Sequence, residues 1–562
     1  MDNTRLILIM ALAFILLLMY QAWHEDYPST PVPTVSSTTS NSTPGVTSTS
    51  GVPSAPSAPA SSELLPSVAS SFTAGLPVST ATHLLSTKER VYVTTDVLKL
   101  EIDTVGGDIR KIGLINYPVK VDKPDQPFEL MNDELPNVFV AQSGLLPEKH
   151  APTHKAIYQT EKLNYKLSGD TLEVKLHWKS AERISVEKIY TFQRGSYIVD
   201  VKHILNNESD KPWKGRLYGQ FQRAEATLAG DSKFLYTYMG GAVSSPEQRY
   251  EKISFDDIKE GSFNQENRAS WENGWVAMLQ HYFVGAWVPE RDQQYKYYTN
   301  LQEPGNRHIL GLYGPEQTVV PYTKQEFRMQ LFAGPKLQDK LAELSPNLDL
   351  TVDYGWLWFI AQPLFMMLGI FHDWFGNWGW AIIVLTLMIK VVFFQLSATS
   401  YKSMANMRRL QPRLVSLKER YGEDKTKLNQ AMMEMYRKEK INPLGGCLPI
   451  AVQIPVFIAL YWVLLESVEL RQADFIFWLN DLSSPDPFFV LPLIMGATMF
   501  MQHHLNPAPI DPVQQKIMLV LPVVFTVFFA FFPSGLVLYW VVNNILSISQ
   551  QWVITKKIAG NV

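Results

Sequence analysis

The stretch "AIIVLTLMIKVVFFQLS", Ala381–Ser397, is apolar apart from one lysine near its middle, Lys390, and one threonine four residues before it, Thr386. Its length and composition read as a membrane span. An ammonium at bilayer depth costs about 2.5–3.5 kcal/mol on insertion scales, so it is seldom kept without a use. Lys390 lies ten residues beyond Trp380, or about 15 Å at helical rise, which is mid-membrane. A snorkelling lysine would reach for the inner headgroups, yet apolar residues still follow before Gln395. The alternative is that Lys390 faces a wet cavity inside a helical bundle.

Working outward, the chain divides by composition. Leu6–Trp23 carries no charge and is preceded by Arg5 and followed by Glu25 and Asp26. As a helix it is about 27 Å long, a hydrocarbon thickness. No small-residue cleavage pattern follows it, so residues 1–26 read as an uncleaved signal anchor with a cytoplasmic amino terminus. Residues 27–83 are rich in Ser, Thr, Pro and Ala ("STPGVTSTSGVPSAPSAPASS"). They bury too little apolar surface to fold, which makes them a tether.

Residues 84–341 have strand grammar. "VLKLEIDTVGGDIRKIGLI" alternates apolar and polar residues around Gly106-Gly107, and "YKLSGDTLEVKLHW" and "EKIYTFQRGSYIVDVKHIL" repeat that pattern. Period-two alternation over such a length predicts a large β-sandwich. "PKLQDKLAELSPNLDL" then predicts a short helix leading to the membrane.

Six apolar runs follow: 355–371, 378–397, 444–465, 488–502, 516–532 and 534–554. Charge orients them. The connection 398–441 is strongly basic, whereas "ESVELRQADFIFWLNDLSSPDP" holds five acids and one arginine. The positive-inside bias puts the first in the cytoplasm and the second outside. This requires that only one of the first two runs spans. Run 355–371 contains Gln362-Pro363 and is flanked by tryptophans, so residues 342–377 are expected to hold connecting and interfacial helices. The expectation is a six-span α-helical membrane protein with both termini inside. Residues 378–562 form a five-span core with a cytoplasmic hairpin, and the β-sandwich lies outside.

Polar side chains on other spans suit the cavity. Gln453 lies on the third span. Asn544, Ser547 and Gln551 share one face of the last, at i, i+3 and i+7. Each alone would be read as an interhelical hydrogen bond. With a lysine they suggest a hydrophilic hollow. The nearest acids of the membrane portion, Glu466 and Glu469, fall at the outer end of their span, so the lysine suits an anionic group brought from outside. In the hairpin, Met404, Met407, Leu410, Leu414 and Leu417 form one apolar stripe, and Leu428, Met432 and Met435 another. Gly422 fits a helix end and Asp424 an N-cap.

"NPLGGCLPIAVQIPVFIALY", "ESVELRQADF", "DPVQQKIM" and "FPSGLVLYWVVNN" together resemble the YidC family of membrane-protein insertases, bacterial relatives of the Oxa-type insertases. The resemblance covers the whole chain in the Gram-negative order. It implies an inner-membrane insertase and chaperone for nascent membrane proteins, acting alone or with the Sec translocon and its accessory subunits. The translating ribosome and membrane lipids are further implied partners, and no cofactor is implied. Lys390 matches the groove's basic residue, usually arginine in the family; lysine keeps the charge without the bidentate fork. Ile454, Pro455 and Phe457 on the third span and Phe528 on the fifth match a hydrophobic slide. Tyr539-Trp540 stands where the family has a tyrosine pair. The sequence ends at "TKKIAGNV", short of the basic tail by which many relatives dock ribosomes.

Other classes fare worse. A secondary transporter would share a mid-membrane charge, but the spans show no inverted repeat and no second titratable relay group. Ser534 in "FPSG" suggests a protease nucleophile, yet it falls at an outer turn with His503-His504 at the opposite face. No nucleotide-binding loop is present, and one cysteine, Cys447, excludes a multi-cysteine zinc site.

Overall fold

The computed structural model describes residues 85–147, 151–225, 237–245, 248–265, 271–303, 306–422, 424–439, 448–505 and 512–560. The expected anchor and tether and Cys447 lie outside the described residues.

Among the described residues the alternating segments form two antiparallel-rich sheets, of ten and nine strands. Leu98–Asp103 and Asp108–Pro118 are the hairpin expected from the sequence, with Asp103 opposite Asp108. Gly106 and Gly107 take positive φ values of 78° and 57° at its turn, a conformation that a Cβ would strain. The nine-stranded sheet runs through Thr171–Lys179, Ile184–Gln193, Ile198–Asn207, Thr323–Pro335, Phe283–Pro289 and Trp275–Leu279 in that order. Inward residues of both sheets, among them Leu100, Ile112, Phe221, Val199, Val201 and Leu331, share one core. A sandwich is the consequence of period-two sequences burying one face each.

Charged groups are fully enclosed beside that core, Lys188 and Asp108 among them. Lys188 donates to the carbonyls of Gly106, at 3.0 Å, and Ser143, at 2.9 Å, and the Tyr190 hydroxyl donates to Gly107 O. Both turn glycines are thereby fixed by the opposite sheet. Beside them the Asp108 carboxylate accepts from Gln142 Nε2 at 2.6 Å and lies 3.4 Å from Arg110. Burial pushes the Lys188 amine down to about 8, against the attraction of Asp108. Burial likewise pushes the Asp108 carboxyl up to about 6, against Arg110 and Lys188.

After a short helix, Gln338–Leu344, the chain turns helical. We label Trp358–Phe375 α1, Trp378–Val392 α2, Phe394–Tyr421 α3, Lys425–Lys438 α4, Leu448–Glu466 α5, Val490–Leu505 α6, Pro512–Phe529 α7 and Ser534–Gly560 α8. The core of this region is built from Ala361, Leu364 and Leu368 of α1, Ile382 and Leu385 of α2, Leu460 and Val463 of α5, Met495 of α6 and Val537 of α8. Among the described residues, Gly355–Phe375 is the one unbroken helix long and apolar enough to cross a bilayer by length and composition. Its exposed face carries Trp356, Trp358, Met366 and Trp374. The hairpin turn lies between α3 and α4. There α3 ends at Tyr421, and Asp424 Oδ1 accepts from Lys427 N at 3.0 Å, the cap expected from the sequence.

The second apolar run departs from its expected form. It was expected to span without a break to Ser397, but α2 stops at Val392 and α3 leaves at 67°. Phe393 N–H still reaches Ile389 O, so the bend begins as a helix C-terminus. Val391-Val392-Phe393-Phe394 concentrates β-branched and aromatic residues whose χ1 freedom a helix restricts. Gln550 Nε2 of α8 donates to the Phe394 carbonyl in the first turn of α3, which ties α8 to the segment after the bend.

The outer loop between α5 and α6 is held from two sides. Asn377 Nδ2 donates to Asp474 O at 3.1 Å. Gly379 packs so tightly under Phe475 that a Cβ there would lie 2.0 Å from the ring. Gly379→Ala is therefore expected to displace Phe475 and destabilise this junction by about 1–3 kcal/mol. Faster hydrogen exchange across residues 473–482 would register it, and unchanged exchange would show that the ring accommodates the methyl. On the other side Val468 joins the sandwich core. Arg471 and Gln472 both donate to Pro118 O, at 2.7 and 2.8 Å, and the Arg471 guanidinium lies over Phe128 and Phe283.

Candidate functional site

Lys390 sits in the last turn of α2, just before the bend. Unsatisfied carbonyls at a helix C-terminus carry partial negative charge, worth about 0.3–1 kcal/mol to a nearby cation. The residue is 8% exposed. Its Nζ donates to Ser547 Oγ of α8 at 2.8 Å. Among the described residues no carboxylate pairs with it. The charge is thus held by a helix terminus and a hydroxyl, an arrangement that leaves it uncompensated.

Ser547 donates its own proton to Asn543 O at 2.7 Å. A serine beside a lysine is also the pairing of some hydrolytic nucleophiles. Here the serine proton points into its own helix rather than toward the amine, so the pair is an anchor and not a nucleophile with its base. Tyr401 of α3 lies within reach of Ser547. Around them Ser397 and Ser400 are buried.

The other residues expected to line the hollow divide. Thr386 is fully buried one turn before Lys390, with its hydroxyl donating to Ile382 O at 2.6 Å. Asn544 is buried and donates to Thr498 Oγ1 of α6 at 3.1 Å, and Gln551 donates to Leu505 O of the same helix. These two bonds hold α6 to α8. Gln453 is half-buried on α5, with no hydrogen bond to Lys390 or Ser547 among the described residues. Of the expected residues, Ser547 is the one hydrogen-bonded to the lysine among the described residues. Sequence reading missed Tyr401 and Thr498. The small polar run Ser397, Ser400, Tyr401 directly after an apolar span was the available signal for the first.

The residues expected to form a slide are differently disposed. Ile454 and Phe528 are each 47% exposed, while Pro455 and Phe457 are half-buried. Phe457 stacks on Tyr539 and meets the edge of Trp540, with ring centres at 5.9 and 4.8 Å. Phe528 packs on Phe532. Exposed apolar side chains continue along α7 through Val520, Val524 and Val527. Ser534 is buried at the start of α8 and donates to Asp481 O at 2.9 Å, the bonding of a turn residue.

Comparison with known proteins fits both halves. Residues 90–367 match the family model of the YidC periplasmic domain, and residues 370–561 that of the 60Kd inner membrane protein. The membrane protein insertase YidC of Nitrosococcus oceani is 48% identical over 568 residues, covering 99% of each chain. That of Methylococcus capsulatus is 53% identical, covering 84% of this chain and 86% of its own. A crystal structure of an active YidC insertase with its first transmembrane domain resolved aligns over 83% of this chain and 92% of that one, at 19% identity and a TM-score of 0.38. A galactose mutarotase related enzyme from Lactobacillus acidophilus aligns over 43% of this chain and 97% of its own, at 9% identity and a TM-score of 0.28. Neither structural likeness is close enough to argue from. The sequence matches are: this inner-membrane chain, with its β-rich periplasmic domain, belongs to the YidC family of membrane-protein insertases, which are not enzymes.

Proposed function

We propose that the protein inserts nascent membrane proteins by drawing their acidic outer segments toward Lys390 while their apolar segments pass along α5 and α7. The observation that carries this reading is a lysine 8% exposed, bonded to Ser547 and paired with no carboxylate among the described residues. A charge kept in that state suits transient capture of an anion that arrives and leaves. The exposed faces at Ile454 and Phe528 support the slide, with Pro455 and Phe457 behind it. Half-buried Gln453 adds polar surface to the groove, and buried Thr386 and Asn544 stand as its inner polar layer.

In this reading the core is five spans behind an amino-terminal anchor, with both termini cytoplasmic and α1 lying at the outer interface. The basic hairpin α3–α4 meets clients and the ribosome from the cytoplasm. The periplasmic domain is free to engage Sec components. Insertion draws its energy from partitioning, at about 25 cal/mol per Å² of apolar surface removed from water, and consumes no nucleotide.

The test uses proteoliposomes and a single-span client carrying two acidic residues in its outer tail. Changing both to their amides is expected to lower insertion several-fold. Equal insertion of both clients would sink the capture step and leave the slide to act alone.

A further inference from the structure

We propose that Ser547 is the positioning residue for the groove cation, fixing the Lys390 ammonium so that two of its three N–H bonds face the client. This rests on the reading that Lys390 captures client carboxylates, and it assigns the geometry that makes capture effective.

The argument is one of proton counting. A serine hydroxyl has one proton and two lone pairs. The Ser547 proton is spent on Asn543 O. Ser547 therefore only accepts, and it accepts from Lys390 Nζ at 2.8 Å. With its proton spent on its own helix, the hydroxyl presents a lone pair to the amine. The result is a fixed acceptor on α8, joined to α2 through Lys390.

A free lysine in that position would have four rotatable bonds and would snorkel toward the inner headgroups. One hydrogen bond to an immobile acceptor removes that freedom at modest cost, because a neutral oxygen does not cancel the charge. An aspartate at 547 would bind the ammonium more tightly and silence it. Serine holds it without neutralising it. The two remaining N–H bonds diverge from one nitrogen and are left for acceptors on the client.

The experiment reconstitutes the full-length protein in proteoliposomes. It compares wild type, Ser547→Ala, Ser547→Thr, Lys390→Met and the Ser547→Ala/Lys390→Met double variant. Each is offered the acidic-tailed single-span client and its amide-tailed counterpart. Ser547→Ala is expected to lower insertion of the acidic client about fivefold, the worth of one ordinary hydrogen bond, and to leave the amide client unchanged. Threonine keeps the hydroxyl and should restore most of the loss. In the Lys390→Met background Ser547→Ala should have no further effect.

A merely structural serine would lower both clients alike and would lower the double variant further, and either result overturns the proposal. Normal acidic-client insertion by Ser547→Ala, with Lys390→Met impaired, overturns it while sparing the capture reading. If Lys390→Met itself inserts the acidic client normally, the capture reading fails and the proposal falls with it.

Discussion

Lys390→Met is expected to cut insertion of an acidic-tailed client by about 10- to 100-fold, with Lys390→Arg retaining most of the activity. Hydrogen bonds to charged groups contribute about 1.5–3 kcal/mol, and that range converts to the stated loss at 1.4 kcal/mol per tenfold. Methionine fills a similar volume and adds no buried polar group, so the bundle should fold. Arginine restores the charge, though its planar fork meets Ser547 differently. Initial insertion rates in proteoliposomes, normalised to reconstituted protein, measure the effect. Equal rates for all three chains would make Lys390 a snorkelling passenger.

The second large effect lies in the sandwich. Lys188→Met is expected to destabilise the β domain by about 3 kcal/mol, since breaking a buried charged pair strands its partner. Here the stranded groups are the Asp108 carboxylate and the carbonyls of Gly106 and Ser143. Hydrogen exchange of strand 139–147 in the full-length protein should show an opening free energy lower by that amount. An unchanged value would mean that Arg110 and Gln142 suffice for Asp108. The pH dependence of the same exchange has a definite sign. Asp108 is raised to about 6 when folded, so the folded state binds the extra proton and stability falls as pH rises from about 3.8 to 6. Lys188 is lowered to about 8, so the unfolded state binds more protons above that value and stability rises from about pH 8 to 10.5. This pair therefore contributes least between pH 6 and 8, and Lys188→Met should remove the alkaline rise.

The hairpin at Gly106-Gly107 was legible because alternation and a double-glycine turn are local signals. The Asp424 cap and the turn role of Ser534 were legible for the same reason. Lys390 stood out because its cost in an apolar run is large whatever surrounds it. The break at Phe393 was not, since a β-branched and aromatic run is compatible with a continuous span and the bend depends on how α2, α3 and α8 pack. Nor could helix periodicity separate Ser547 from Asn544. They share a face of α8, and which of them meets α2 rather than α6 depends on how three helices pack. The enclosure of Lys188 is likewise tertiary: within "VEKIYTF" it occupies an ordinary alternating position.

Val468, seated in the sandwich core, and Arg471, bonded to Pro118, bear on how this chain can be recombined. A chimera joining this membrane core to another periplasmic domain would leave an apolar side chain without its socket and a guanidinium without its carbonyl. Such a graft should work only if the donor's loop from 466 to 473 travels with its own sandwich. The two halves match separate sequence families, but the seam that makes them interchangeable lies inside the loop between α5 and α6, about a hundred residues beyond the boundary at which those matches part.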